Sequence, residues 1–330
     1  MSKATRAAEA ERVEIVYYWA INRLTDHAGS EALKLWAQVP ATPQAAKSSW
    51  WLAELLKMLF GLRSEAQLLA IAYYRFQRAL RTGETIAAPG EQPGSSTTLD
   101  ALRQEFLAEV DKIEAMTSEG VVTPEPALGL VDDDPIPVVA GPDIDSLIKE
   151  SDTRALDEAT DNLDTLGIQV LLRKLDRLEA ELAHAQAGRR STAAFQRYVM
   201  NAARGLIYDV TKHDSASIGW VRYSTTGHPC GWCAMLISRG VVYKSASTAL
   251  SHDEYHDNCR CIAIPVFSMQ QFDSSPLFDQ NREYEDLWYE LKDTDDAELI
   301  KQYGTAELLA IFRIIFRQRA AQPTTALVAA

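Results

Sequence analysis

The chain has 330 residues, with 33 Lys and Arg against 46 Asp and Glu and a formal net charge of −13. A hydrophobic content of 47% and a charged content of 24% are an ordinary globular balance, which excludes collagen-like, wholly disordered and disulfide-dense classes. The most apolar runs, WWLAELLKMLFGL and LLAIFRIIF, carry Lys57 or Arg313 and are too short to span a bilayer; the charged opening MSKATRAAEAERVE is unlike a signal peptide, so no membrane anchor is expected.

Helices are predicted over residues 5–25 and 31–38, with Tyr17, Tyr18, Trp19 and Trp36 on apolar faces. Thr42-Pro43 reads as a helix start, because proline is tolerated in the first turn. The helix that follows, through Trp50, Trp51, Leu55, Leu56, Leu59 and Phe60, should end at Gly61. Another runs from Ser64 to Arg81 and closes at Thr82-Gly83. Residues 1–85 therefore read as a helical bundle whose aromatics form a core rather than a ligand box. Residues 86–164 read as an acidic, Pro/Gly-rich linker with one helix, Leu99–Met116. The prolines of TPEPALGLVDDDPIPVVAGPD predict extended or irregular chain. Residues 91–164 hold 4 basic and 19 acidic residues, a balance of −15. Such a segment repels phosphates and resists collapse; it suits a solvated arm or a docking surface for a basic partner.

The helical period returns near Leu166. Leu171, Leu175, Leu178 and Leu182 form one seam, Phe195, Val199, Ala202, Leu206 and Val210 a second, and Gly188 between them suggests a helical hairpin. Its basic residues, Arg173, Lys174, Arg177, Arg189, Arg190, Arg197 and Arg204, read either as a solvated face or as a weak, salt-sensitive DNA contact. Short strands are predicted at Ile218–Tyr223, Val241–Tyr243 and Ile262–Phe267. Residues 165–270 would thus combine the hairpin with a small α+β module. Residues 271–330 would add C-terminal helices, near Glu283–Leu291 and Ala297–Gln318, and a tail. The expected fold class is mostly α: an N-terminal helical bundle, an irregular acidic middle, and a C-terminal hairpin plus α+β module.

All four cysteines fall between positions 230 and 261: Cys230-Gly-Trp-Cys233, then Cys259-Arg-Cys261. A C-x-x-C turn aims two thiolates at one centre, and a second close pair can complete a tetrahedral zinc site. His256 and His228 flank the pairs, so more donors are present than a closed site uses. A redox C-x-x-C and plain thiols or disulfides are the alternatives; the first lacks a thioredoxin-like context and the last an export signal. The expected set is one structural zinc on Cys230, Cys233, Cys259 and Cys261, with His256 the substitute for one of them.

The run Trp220-Val-Arg222, then HPCGWCAMLISRGVVY and YHDNCRCIAIPVF, resembles the signature of MuF-type phage head-morphogenesis proteins, and most closely the minor capsid proteins of actinobacterial tailed phages, often labelled capsid maturation protease or MuF-like fusion. AIAYYRFQRALRTGETI is similar to their opening domain. The family pattern falls on Cys230, Cys233, Tyr243, His256, Cys259, Arg260 and Cys261. The resemblance implies a minor head component with the portal or major capsid protein as partner, present in the host cytoplasm during assembly and later inside the capsid. A maturation protease or a toxin-like enzyme is the alternative it carries. The sequence shows no G-x-S-x-G elbow. Ser251-His252-Asp253 is a weak triad candidate, since triad members meet through folding rather than adjacency. Glu254 or Asp257 would have to be the base of a zinc hydrolase. Arg222 could open an ADP-ribosyl-transfer site, but no E-x-E follows the strands. The reading leans against an enzyme.

Overall fold

Ser2 caps the first helix by accepting the Thr5 N–H, and α1 then runs unbroken from Lys3 to Trp36. The break expected between residues 25 and 31 does not occur, because Ala28, Gly29 and Ala32 continue the buried stripe. Pro43 opens a short 3-10 turn, Pro43–Lys47, ahead of α2 (Ser49–Thr82). That helix passes through Gly61, correcting the predicted stop. A mid-helix glycine costs only about 1 kcal/mol, which the buried Leu55, Leu59, Leu62, Leu69 and Phe76 of the same helix outweigh. This computed structural model describes residues 2–117, 134–241 and 255–321. The chain divides into two compact units: residues 1–216 with 250–259, and residues 217–249 with 260–330.

In the first unit, α2 packs against α1, α3 (Leu99–Met116), α4 (Ile144–Asp164) and α6 (Ala180–His213). The rings of Tyr17 and Tyr73 stack at 3.9 Å in this core. In the acidic middle, residues 118–133 lie outside the described residues, and the described parts carry more regular structure than one helix. Thr85–Ile86 (β1), Ser96–Thr97 (β2) and Ile136–Val139 (β3) form a small sheet, with β3 central, parallel to β1 and antiparallel to β2. Helix α4 corrects the expectation of a single helix in residues 86–164. Asp143 caps it, and Ser151, Ala155, Ala159 and Leu163, four residues apart, form its narrow buried stripe. Arg63, 2% exposed, reaches from α2 to the Asp152 carboxylate at 2.8 Å, the Ser151 hydroxyl and the Tyr198 carbonyl. Of the aspartate triplet, Asp132 and Asp133 lie outside the described residues.

A π-type turn, Thr165–Gln169, joins α4 to α5 (Val170–Leu175). The reversal before α6 lies at residues 176–179, not at Gly188, which α6 traverses. Gly188 serves close approach instead: a Cβ there would sit 2.4 Å from Trp36 Cδ1.

The second unit is built on β4 (Gly219–Ser224) and β5 (Cys261–Val266), antiparallel from Gly219↔Val266 to Ser224↔Cys261. Both fall within one residue of the predicted strands. Of the third, Val241–Tyr243, Val241 lies in no strand and the remainder is outside the described residues. Helices α7 (Gly231–Ile237), α8 (Met269–Ser274), α9 (Asp279–Asp293), α10 (Asp296–Tyr303) and α11 (Leu308–Ala321) complete the unit. The single helix expected over Ala297–Gln318 is two, because Gly304 takes φ +77° and ends α10. Helix α11 packs on α7, and its Phe312 and Phe316 meet Trp288 and Tyr284 of α9. Among the described residues, no helix is long and apolar enough to cross a membrane.

Candidate metal centre

The C-x-x-C pair sits where chain direction changes from β4 into α7. Cys230 is the residue before the helix, exposed, and its Sγ accepts the Cys233 N–H at 3.4 Å. Cys233 lies one turn in and is 2% exposed. The residue after Cys230 must be small: a Cβ on Gly231 would come within 2.6 Å of the Arg313 Cα of α11. Cys261 is the first residue of β5, opposite Ser224, and is 3% exposed. The Sγ atoms of Cys230 and Cys233 lie within 4.8 Å of each other, as do those of Cys233 and Cys261. Thiolates at about 2.3 Å from a tetrahedral zinc are about 3.8 Å apart, so these spacings close with small side-chain rotations. No disulfide joins them.

Cys259 lies two residues before Cys261 along the chain and is buried in the first unit. It ends a tight turn in which the Cys259 N–H donates to the His256 carbonyl at 3.1 Å and Asn258 takes φ +63°. His256 is exposed, with Nδ1 2.7 Å from the Asp257 carbonyl. Two arginines of α6 fix this turn within the first unit. Arg197 donates to the Asp257 carboxylate at 2.7 Å. Arg204, 2% exposed, donates to the Cys259 carbonyl at 2.7 Å and lies 3.9 Å from the Tyr255 ring centroid. Both arginines belong to the stretch that reads as a solvated or DNA-facing surface. No local signal in the sequence marks them, since their partners lie 60 and 55 residues further along the chain.

The other candidates divide. Ser251, His252, Asp253, Glu254 and Tyr243 lie outside the described residues. Asp257 is committed to Arg197, an arrangement that ties up the carboxylate a zinc hydrolase would use as base. Arg222 is buried on β4, its carbonyl accepting from Asn281 Nδ2 at 2.9 Å. His228 is exposed.

Residues 152–291 match the family of VG15 proteins. The span takes in most of α4, helices α5 and α6, the strand pair and all four cysteines. Two curated relatives carry the name "Gene 15 protein". That of Mycobacterium phage D29 is 30% identical over 112 residues, covering 24% of this chain and 41% of the relative. That of Mycobacterium phage L5 is 30% identical over 139 residues, covering 30% of this chain and 46% of the relative. The chain thus spans less than half the length of these relatives. The similarity supports a phage protein family and a phage origin. No solved structure matches the chain.

Proposed function

We propose that the protein is a structural component of a phage head, of MuF-like minor capsid type, acting in head assembly beside the portal or the major capsid protein, with one structural zinc ion. The observation that carries this reading is coincidence: the span that matches the VG15 family, residues 152–291, contains both the MuF-like motif and the whole cysteine set. Phage particles assemble in the host cytoplasm, so the protein is expected there first and in the capsid interior afterwards.

In this reading Cys230, Cys233 and Cys261 supply three thiolates and Cys259 the fourth, with His256 able to replace one. A closed thiolate set saturates the ion and serves folding rather than hydrolysis. Buried Cys233, Cys259 and Cys261 suit that role, and exposed Cys230 offers the ion an entry side.

Deleting the encoding gene, followed by electron microscopy and infectivity counts, tests the function. Malformed heads, or full heads that fail to deliver DNA, are the expected outcomes; normal virions lacking the protein would refute it. Metal analysis tests the site, with one zinc per chain expected and lost in Cys233→Ser. Specific cleavage of the major capsid precursor by the purified protein would place it among enzymes instead.

A further inference from the structure

Several arginines in the first unit pair with carboxylates. Arg63 meets Asp152, Arg75 meets Glu91 and Glu105, Arg78 meets Asp214, Arg103 meets Glu9, and Arg197 meets Asp257. At the α5–α6 turn no such pairing is made among the described residues. Arg173, Lys174 and Arg177 gather with Arg190 of α6 around one hollow of about 600 Å³. Its lining holds a single carboxylate, Asp176, and no ion pair forms with any of the four cations among the described residues. Arg173 donates only to the Gln169 carbonyl of its own helical turn, at 3.3 Å, and Lys174 to the Gln186 carboxamide. Neither contact neutralises charge. Four cations held together in a chain of net charge −13 form a local field opposite in sign to the molecule's own.

We infer that this hollow is a binding site for the sugar–phosphate backbone of nucleic acid. Guanidinium forks match phosphate oxygens in pairs, and three of the four cations are arginines. Duplex DNA presents one charge per about 1.7 Å of axis, dense enough to engage the whole cluster. An extended acidic peptide is a poorer fit, because successive side chains point to opposite faces. The remaining net negative charge prevents wrapping along DNA and confines contact to this one face. The seven-residue basic stretch of the sequence is therefore split by the fold: Arg197 and Arg204 hold the Cys259 turn, Arg173, Lys174, Arg177 and Arg190 line the hollow, and Arg189 is exposed outside it.

Fluorescence anisotropy of the full chain with a short labelled duplex, across a salt series, tests the inference. Four neutralised phosphates predict that log affinity falls against log salt with a slope of about 3.6. The double variant Arg177→Glu/Arg190→Glu should lower that slope by about 2 and weaken low-salt binding at least about tenfold. The control Lys301→Glu/Arg317→Glu, an equal change of net charge on exposed residues of α10 and α11, should leave both unaltered. Circular dichroism melts verify that each variant folds, since all four positions are on exposed surface. The inference is overturned by absence of duplex binding at the lowest salt, by equal losses in both variants, or by a poly-glutamate peptide displacing the duplex at lower concentration than unlabelled DNA does.

Discussion

Glu14 shows what burial does to one ionisable group. It lies on α1, 1% exposed, and desolvation pushes its carboxyl from 4.5 up to about 8, although Arg81 stands 3.5 Å away. Its second oxygen has no hydrogen-bond partner. The folded chain therefore holds this proton more tightly than the unfolded chain does. The resulting stabilisation is fully present below about pH 4.5, declines as pH rises, and is gone above about pH 8. At about 1.4 kcal/mol per unit of displacement, the swing is of order a few kcal/mol. Glu14→Gln should abolish it, so that the variant gains on the wild type as pH rises. Urea-unfolding midpoints at about pH 5 and about pH 9 check this; parallel losses in both proteins would contradict it. Gly188 is a second residue whose substitution has a defined cost. In Gly188→Ala the new methyl overlaps the Trp36 indole, whose Nε1 donates to the His184 carbonyl at 3.0 Å. Overpacking of this kind costs about 1–3 kcal/mol, readable as a lowered melting temperature, and an unchanged melt would show that Trp36 has room to move.

At the scale of elements, what could be read from sequence was whatever a local pattern determines. The long apolar periods of α1, α2 and α6 announced helices, and the C-x-x-C and Cys-Arg-Cys spacings announced the metal candidate. Glycines misled, because a lone helical glycine is a weak breaker whose meaning depends on its partner across space. Gly61 faces open space and Gly188 faces Trp36, and the sequence cannot distinguish them from stops. Helix α4 leaves little trace in the sequence because its buried stripe is built mostly of serine and alanine. Strands β1 and β2 have two residues each and exist only through β3, roughly forty to fifty positions away. The α6 anchors of the cysteine turn were hidden for the same reason, since their partners are long-range. Arg204 makes the testable case. Lysine would keep the charge but lose the planar fork that bonds the Cys259 carbonyl while stacking on Tyr255. In chelated protein, Arg204→Lys should speed alkylation of Cys259, 8% exposed, relative to Cys261, 3% exposed and held in β5. Mass mapping of the labelled thiols reads the ratio, and an unchanged ratio would show that Arg204 does not hold the turn.

At the scale of the whole molecule, the two units rest on different kinds of core. The first buries long helices around Tyr17, Trp51, Tyr73, Phe76, Phe106 and Phe195. The second has two six-residue strands and several short helices, so it has less apolar burial to set against chain entropy. A metal bound by Cys230, Cys233 and Cys261 would add its binding free energy to the stability of that second unit above all. The tryptophans report the units separately: Trp19, Trp36, Trp50 and Trp51 belong to the first, and Trp220, Trp232 and Trp288 to the second. In protein labelled with fluorotryptophan, chelation should lower the temperature at which the second group loses its dispersed ¹⁹F resonances, with much less effect on the first. Even about 2 kcal/mol of lost binding free energy moves the melt of a unit of this size by roughly 10 °C, well within what the spectra resolve. Readdition of zinc should reverse the displacement, and Cys233→Ser should melt like the chelated wild type whether zinc is present or absent. Equal displacement of all seven resonances would mean that the ion stabilises both units alike. No displacement would remove the stabilising role assigned to the cysteines.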